Sequence, residues 1–169
     1  MGLECGIIAK ITVTGVNELY NKLNKLAASE ATNAMKAGVY EGAGAAADAL
    51  KAEIASLSAE KGSWPFYKKT IVGLSETQKQ GLIDGVGIAS IEDKNGVINT
   101  KVGFNGYNDH VTEHYPKGQP NALVARSLES GSSIGTKHPF VRPTASKARK
   151  TITQKMADKV KKEIEKAMK

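Results

Sequence analysis

Apolar residues alternate at the start of the chain, with Ile7, Ala9, Ile11 and Val13 on one side and Ile8, Lys10 and Thr12 on the other. This period of two predicts a strand with one strongly apolar face, ended by Gly15. From Asn17 to Leu57 the period becomes helical and no proline interrupts it. Leu19, Tyr20, Leu23 and Leu26 make one stripe, continued by Ala31, Ala34, Met35, Val39, Ala46, Leu50, Ile54 and Leu57. Asn17 is placed to cap this helix and Ser29 offers a second cap, so the pattern allows one kinked helix or two. Between Ala37 and Ala49 the helix is packed with Gly and Ala. An interior glycine costs up to about 1 kcal/mol relative to alanine. Two explanations stay open: close approach of another backbone, within the fold or from a neighbouring subunit, or a helix break near Gly42.

Ser58 to Thr77 reads as a loop carrying the aromatic cluster Trp64-Pro65-Phe66-Tyr67. Trp64 is expected either to fold back on the core or to serve a subunit contact, since Trp and Tyr favour interface cores. A short helix from Ser75 leads into a strand over Val86 to Ile91. Asn95-Gly96 then marks a hairpin, because both residues tolerate positive φ, and Val97 to Phe104 places Ile98, Thr100, Val102 and Phe104 on one face. Asn105 to Pro120 is polar and irregular. Asn121 to Ser130 predicts a helix capped by Asn121 and buried through Val124, Ala125 and Leu128, with Gly131 as a left-handed stop. Pro139 and Pro143 bracket an extended Phe140-Val141-Arg142, and Pro143 suits the first turn of a last helix running towards Met168. Its stripe is Ala145, Ala148, Ile152, Met156, Val160, Ile164 and Met168. The sum is an α+β fold: a small, mainly antiparallel sheet of three to four strands against a long N-terminal helix and a basic C-terminal one. It forms one domain over 1–169, with flexible loops near 58–77 and 105–120.

Composition changes this picture little. A chain of 169 residues with 40% hydrophobic and 24% charged residues belongs with globular proteins, and 5% aromatics imply an aliphatic core. The lone Cys5 excludes an internal disulfide or a thiolate cage and fits a reducing cytoplasm. No apolar run approaches the ~20 residues that span a bilayer, and the first ten residues do not read as a secretion signal. Charge is more informative. Of the net +7, six units come from Ala145 onward, where nine Lys or Arg meet Asp158, Glu163 and Glu165. Such a helix either presents an ordinary solvated face or attracts acidic partners and nucleic acid.

One pattern has the form of a catalytic motif. His110-Val111-Thr112-Glu113-His114 spells H-x-x-E-H, in which two histidines one helical turn apart bind zinc and the glutamate activates a bound water. The flanking Asn108-Asp109 and Pro116-Lys117-Gly118 leave little room for a helix, and a third ligand is wanted. Gly85-Val86-Gly87 lacks the third glycine of a dinucleotide loop. No G-x-S-x-G elbow or phosphate-binding G-K-S/T occurs, and His138, between Lys137 and Pro139, reads as a surface or packing histidine. The alternatives to a structural role are therefore a zinc hydrolase built on His110, Glu113 and His114, or a basic nucleic-acid-binding module. The expectation is a non-enzyme with no cofactor and no metal.

Leu123-Val124-Ala125-Arg126-Ser127-Leu128-Glu129-Ser130-Gly131, followed by Lys137-His138-Pro139-Phe140-Val141-Arg142-Pro143-Thr144, resembles a phage family typified by gene product ten of phage HK97. Its members are small tail or neck components of siphophage-type particles and prophages. They show a helix ending in Glu-x-Gly, a spacer, Pro-Phe-hydrophobic-Arg-Pro and a closing basic helix. Ile11 to Leu26 is similar to the strand, Gly and Leu-rich helix with which they begin. Thr144 stands where alanine is usual. The resemblance implies a virion protein of the tail or neck, assembled in the host cytoplasm, that acts in head–tail joining or tail completion. Its implied partners are other neck, tail or connector proteins and its own copies in a ring, with DNA crossing the channel and no membrane.

The motif also has a reading of its own. Glu129 falls in the last turn of its helix, where the macrodipole disfavours a negative charge by about 0.3–1 kcal/mol. A cation should compensate, with Arg142 first and Lys137 second, and a bidentate Arg142–Glu129 pair would staple the short helix to the start of the last one. Phe140 would anchor the segment in the core. Trp64, Glu129, Gly131, Phe140, Arg142 and Pro143 are thus the candidate structural and interaction residues, within the fold or at a subunit interface.

Overall fold

A computed structural model of the chain describes residues 9–10, 28–59, 74–131 and 137–167. Four helices are described: α1 (Ala28–Ser56), α2 (Glu76–Gly85), α3 (Asn121–Ser130) and α4 (Val141–Ala167). The strands are β1 (Ala9–Lys10), β2 (Val86–Ile88), β3 (Glu92–Lys94), β4 (Val97–Asn99) and β5 (Lys101–Phe104). β1, β5 and β2 form an antiparallel sheet in that order, and β3 pairs with β4 in a hairpin. The fold is α+β, with a small antiparallel sheet, a long helix in the first third and a long helix at the end. Asn17, the stripe from Leu19 to Leu26, and Trp64 lie outside the described residues.

α1 is continuous through Gly42, so the glycines mark close packing and not a break. Its closest partner is α4, which runs antiparallel to it. A Cβ at Gly38 would overlap Val160, and one at Gly42 would overlap Met156, with its sulfur 2.6 Å away. Further along, Ala46 and Leu50 share a small apolar cleft with Val141, Ala148 and Ile152. Omitting two side chains on one face lets the helix backbones approach, and the added contact offsets the helix-propensity cost. Ser29 lies inside α1.

The core is formed by Ile54, Leu82, Phe104, Phe140 and Val141, all nearly or fully inaccessible, with Leu50, Val102, Val124, Ala125 and Ile152 around them. The predicted face of Thr100, Val102 and Phe104 is buried and Ile98 is half-buried. The strand expected over Val86–Ile91 is shorter, ending at Ile88. Past it, the Ala89 carbonyl accepts from the Thr100 hydroxyl at 2.6 Å, and the chain turns outward to β3. Asn95 (φ 55°) and Gly96 (φ 77°) form the hairpin turn, as their tolerance of positive φ requires.

α2 begins with a reciprocal capping box: Ser75 Oγ accepts from Gln78 N at 3.1 Å, and Ser75 N donates to Gln78 Oε1 at 3.0 Å. α3 does not start as expected. Its N-cap position is Pro120, with no side-chain cap, and Asn121 is the first helical residue. The Asn121 amide is committed elsewhere: Nδ2 donates to the Asn105 carbonyl at 2.8 Å, and Oδ1 accepts from Asn108 Nδ2 at 3.2 Å. Asn108 and Asn121 are both buried. Gln78 Nε2 also donates to Gln119 Oε1 at 2.7 Å. The segment 105–120, irregular in sequence, is therefore fastened to α2 and α3 by a buried amide network. Gly81 and Gly85 make room for it, since a Cβ at Gly85 would stand 2.5 Å from the Asn105 carbonyl oxygen.

Candidate functional site: the Glu129 clasp

The residues of the Leu123–Thr144 motif meet at one buried carboxylate. α3 turns its Val124 and Ala125 into the core, and the same face carries Glu129 one turn later, only 7% exposed. Gly131 ends the helix, its N–H donating to the Ser127 carbonyl at 2.8 Å. With φ 81° and ψ 166° it lies beyond the left-handed helical basin, in a region open essentially to glycine alone. The chain returns at His138, whose N–H donates to the Leu128 carbonyl at 2.7 Å. Phe140 is 1% exposed and meets Phe104 edge to face, ring centroids 5.9 Å apart. This contact links the clasp to β5.

The last helix starts at Val141, so Val141 and Arg142 are helical and Pro143 is its third residue. The expected extended Phe140-Val141-Arg142 and a helix opening at Pro143 are corrected here. The cause is Glu129. Its Oε2 accepts from Phe140 N at 2.8 Å and Val141 N at 2.9 Å, and its Oε1 accepts from Arg142 N at 3.2 Å. The first turn of a helix leaves N–H groups without partners, and here each is accounted for. Three donate to Glu129, Pro143 has none to donate, and Thr144 N donates to the Phe140 carbonyl at 3.1 Å. A carboxylate twelve residues before the start of α4 thus caps it from the side and offsets the bias of the residue before proline against the helical region.

The expected bidentate Arg142–Glu129 pair is also corrected. The Arg142 guanidinium approaches Glu129 only through Nε, at 3.9 Å, and the side chain is 88% exposed. Lys137 is exposed and makes no ion pair with any described residue. Backbone N–H groups supply the compensation that a cation was expected to give. Glu129 sits at the unfavourable end of α3 but at the favourable end of α4, where a partly buried geometry is worth up to about 2 kcal/mol. Hydrogen bonds to a charged group each contribute about 1.5–3 kcal/mol, so the second environment wins.

Two features were not anticipated from sequence. Thr144 is 5% exposed, and its hydroxyl has no hydrogen-bond partner among the described residues. The Asn105–Asn108–Asn121 network was missed as well. The one available signal was the glycine pair at i and i+4 in α2, the same sign of close approach that Gly38 and Gly42 give in α1.

The H-x-x-E-H residues do not form a zinc site of the expected kind. Thr112 and Tyr115 exchange backbone hydrogen bonds at 3.2 and 3.0 Å, so Glu113-His114 is a tight turn and not a helical face. Among the described residues no group of three His, Cys, Asp or Glu converges as a metal site, and no helix is long and apolar enough to cross a membrane. Comparison with protein families, curated proteins and solved structures finds no match.

Proposed function

We propose that this chain is a structural virion protein of a tailed bacteriophage or prophage, acting in head–tail joining or tail completion as one of several copies in a ring. The observation that carries this reading is the convergence of the motif from Leu123 to Thr144 on the Glu129 clasp. The residues that resemble the family's signature are also the ones that seat the long terminal helix. Phe140 and Glu129 hold the motif from within. The antiparallel pair of α1, 29 residues, and α4, 27 residues, gives the subunit a rigid spine. Head-to-tail contacts between such subunits close into a ring when the rotation per copy permits. Large apolar residues exposed away from the core, Tyr40, Val97, Tyr107, Val111 and Leu123, offer contact points. The partners in this reading are neck, tail or connector proteins and further copies of the chain, and the work needs no catalysis.

The test is to delete the coding sequence from the phage or prophage and examine the products by electron microscopy. Filled heads and separate tails, restored to joined particles by the wild-type chain, are expected. Normal infectious particles in its absence would refute the proposal.

A further inference from the structure

The charge on α4 divides along its length. The stretch 141–157 holds Arg142, Lys147, Arg149, Lys150 and Lys155 and no Asp or Glu. All three acids of the helix lie beyond it and are occupied. Glu163 takes Lys159 and Lys166, each at 3.0 Å, and these hydrogen bonds, Lys159 foremost, hold its carboxyl below the usual carboxylate range. Glu165 faces Lys161 at 3.9 Å, and Asp158 accepts from Gln154. The last turns are largely self-neutralised. In the first four turns Lys147, Arg149, Lys150 and Lys155 make no ion pair with a described residue, and all are exposed. Val141, Thr144, Ile152 and Met156 turn towards the core; at 3.6 residues per turn Lys147 and Lys150 face away from it, while Arg149 and Lys155 flank the buried stripe on its two sides.

We infer that this exposed cationic face, centred on Lys147 and Lys150 with Arg149 and Lys155 at its margins, binds the phosphate backbone of duplex nucleic acid without reading its sequence. The choice of occupant follows from what lies between the cations. A helix that enters a membrane interface sets Trp, Phe or Leu beside its lysines, and none of the large exposed apolar residues of the described chain is on α4. Single strands are gripped by aromatic stacking platforms, and α4 has no aromatic residue. Its exposed positions include Ser146 and Thr151 beside the cations, groups that contact phosphate oxygens. These cations span about 12 Å along a rigid helix, at 1.5 Å per residue, which suits the regular charge of a duplex. Association should come mainly from counterion release.

The inference stands apart from the assembly reading, because binding by the isolated chain needs no particle and joining of heads to tails needs no DNA affinity. The test titrates the full chain against a 30-base-pair duplex of arbitrary sequence by fluorescence anisotropy, at salt from about 50 to 200 mM. Four phosphate contacts predict a log–log salt slope of about −3.6, or about 150-fold weaker binding across that range. R149Q/K150Q should bring the slope to about −1.8, whereas K51Q/K117Q, the same loss of charge at exposed sites elsewhere, should leave it unchanged. Circular dichroism establishes that both variants are folded. Absence of duplex binding by the wild-type chain at 50 mM would overturn the inference. So would equal losses in the two variants, or tighter binding to a single strand of the same length or to phosphatidylserine-containing vesicles.

Discussion

Glu129 carries the account at the scale of single residues. Replacing its carboxylate by an amide keeps the shape but removes the charge, leaves one acceptor oxygen and turns an NH2 group towards N–H donors. Glu129→Gln should therefore destabilise the fold by about 2–3 kcal/mol in chemical denaturation. Arg142→Ala should cost no more than about 0.5 kcal/mol, because the guanidinium is solvated and distant. The opposite ranking would restore the ion pair that the sequence suggested. Thr144 makes a second case. Its buried hydroxyl finds no partner among the described residues, and Thr144→Val exchanges it for a methyl group of similar shape. The variant should gain about 1 kcal/mol, a rise in Tm of about 2–4 °C, and an unchanged or lower Tm would mean that the hydroxyl has a partner. Sequence made Glu129 visible because a carboxylate in the last turn of a helix is out of place. It pointed to the wrong partner because side-chain pairing rules list cations, whereas backbone N–H groups become available only once the start of α4 is fixed in space.

At the scale of elements, the helices and the hairpin were legible because each rests on a local signal: the apolar stripe of α1, the helical stretch opening at Ser75 for α2, and Asn95-Gly96. Boundaries were less so. The start of α4 depends on a residue twelve positions upstream, and Asn121 was drawn from capping into a network whose members are scattered from Gln78 to Asn121. The Gly/Ala run of α1 left two readings that only the antiparallel partner could separate. Two of its glycines give opposite predictions. Gly38→Ala adds a methyl group against Val160 and near the Met156 carbonyl, so despite better helix propensity it should lower stability by about 1–3 kcal/mol. Gly44 has nothing within 4 Å of the position its Cβ would take. Gly44→Ala should stabilise the protein by about 0.5–1 kcal/mol. Thermal melts of the two variants test the packing directly, and equal shifts would contradict the close approach of α1 and α4.

For the whole molecule, the parts divide their roles along the chain. α1 and α4 form a spine, the β1–β5–β2 sheet and α2 close the core, and the Glu129 clasp fixes where the basic helix begins. The clasp caps the helix that carries the exposed cations: the α3 carboxylate that seats Val141 also fixes where their helix begins. A virion component needs such rigidity, because small errors in one subunit are multiplied around a ring. The proposed role is tested most directly by quantitative mass spectrometry of purified particles from the phage or prophage that encodes the chain. The account predicts several copies of this chain per particle, in a fixed ratio to the portal protein. Particles that are complete and infectious, yet contain none of it, would contradict the account.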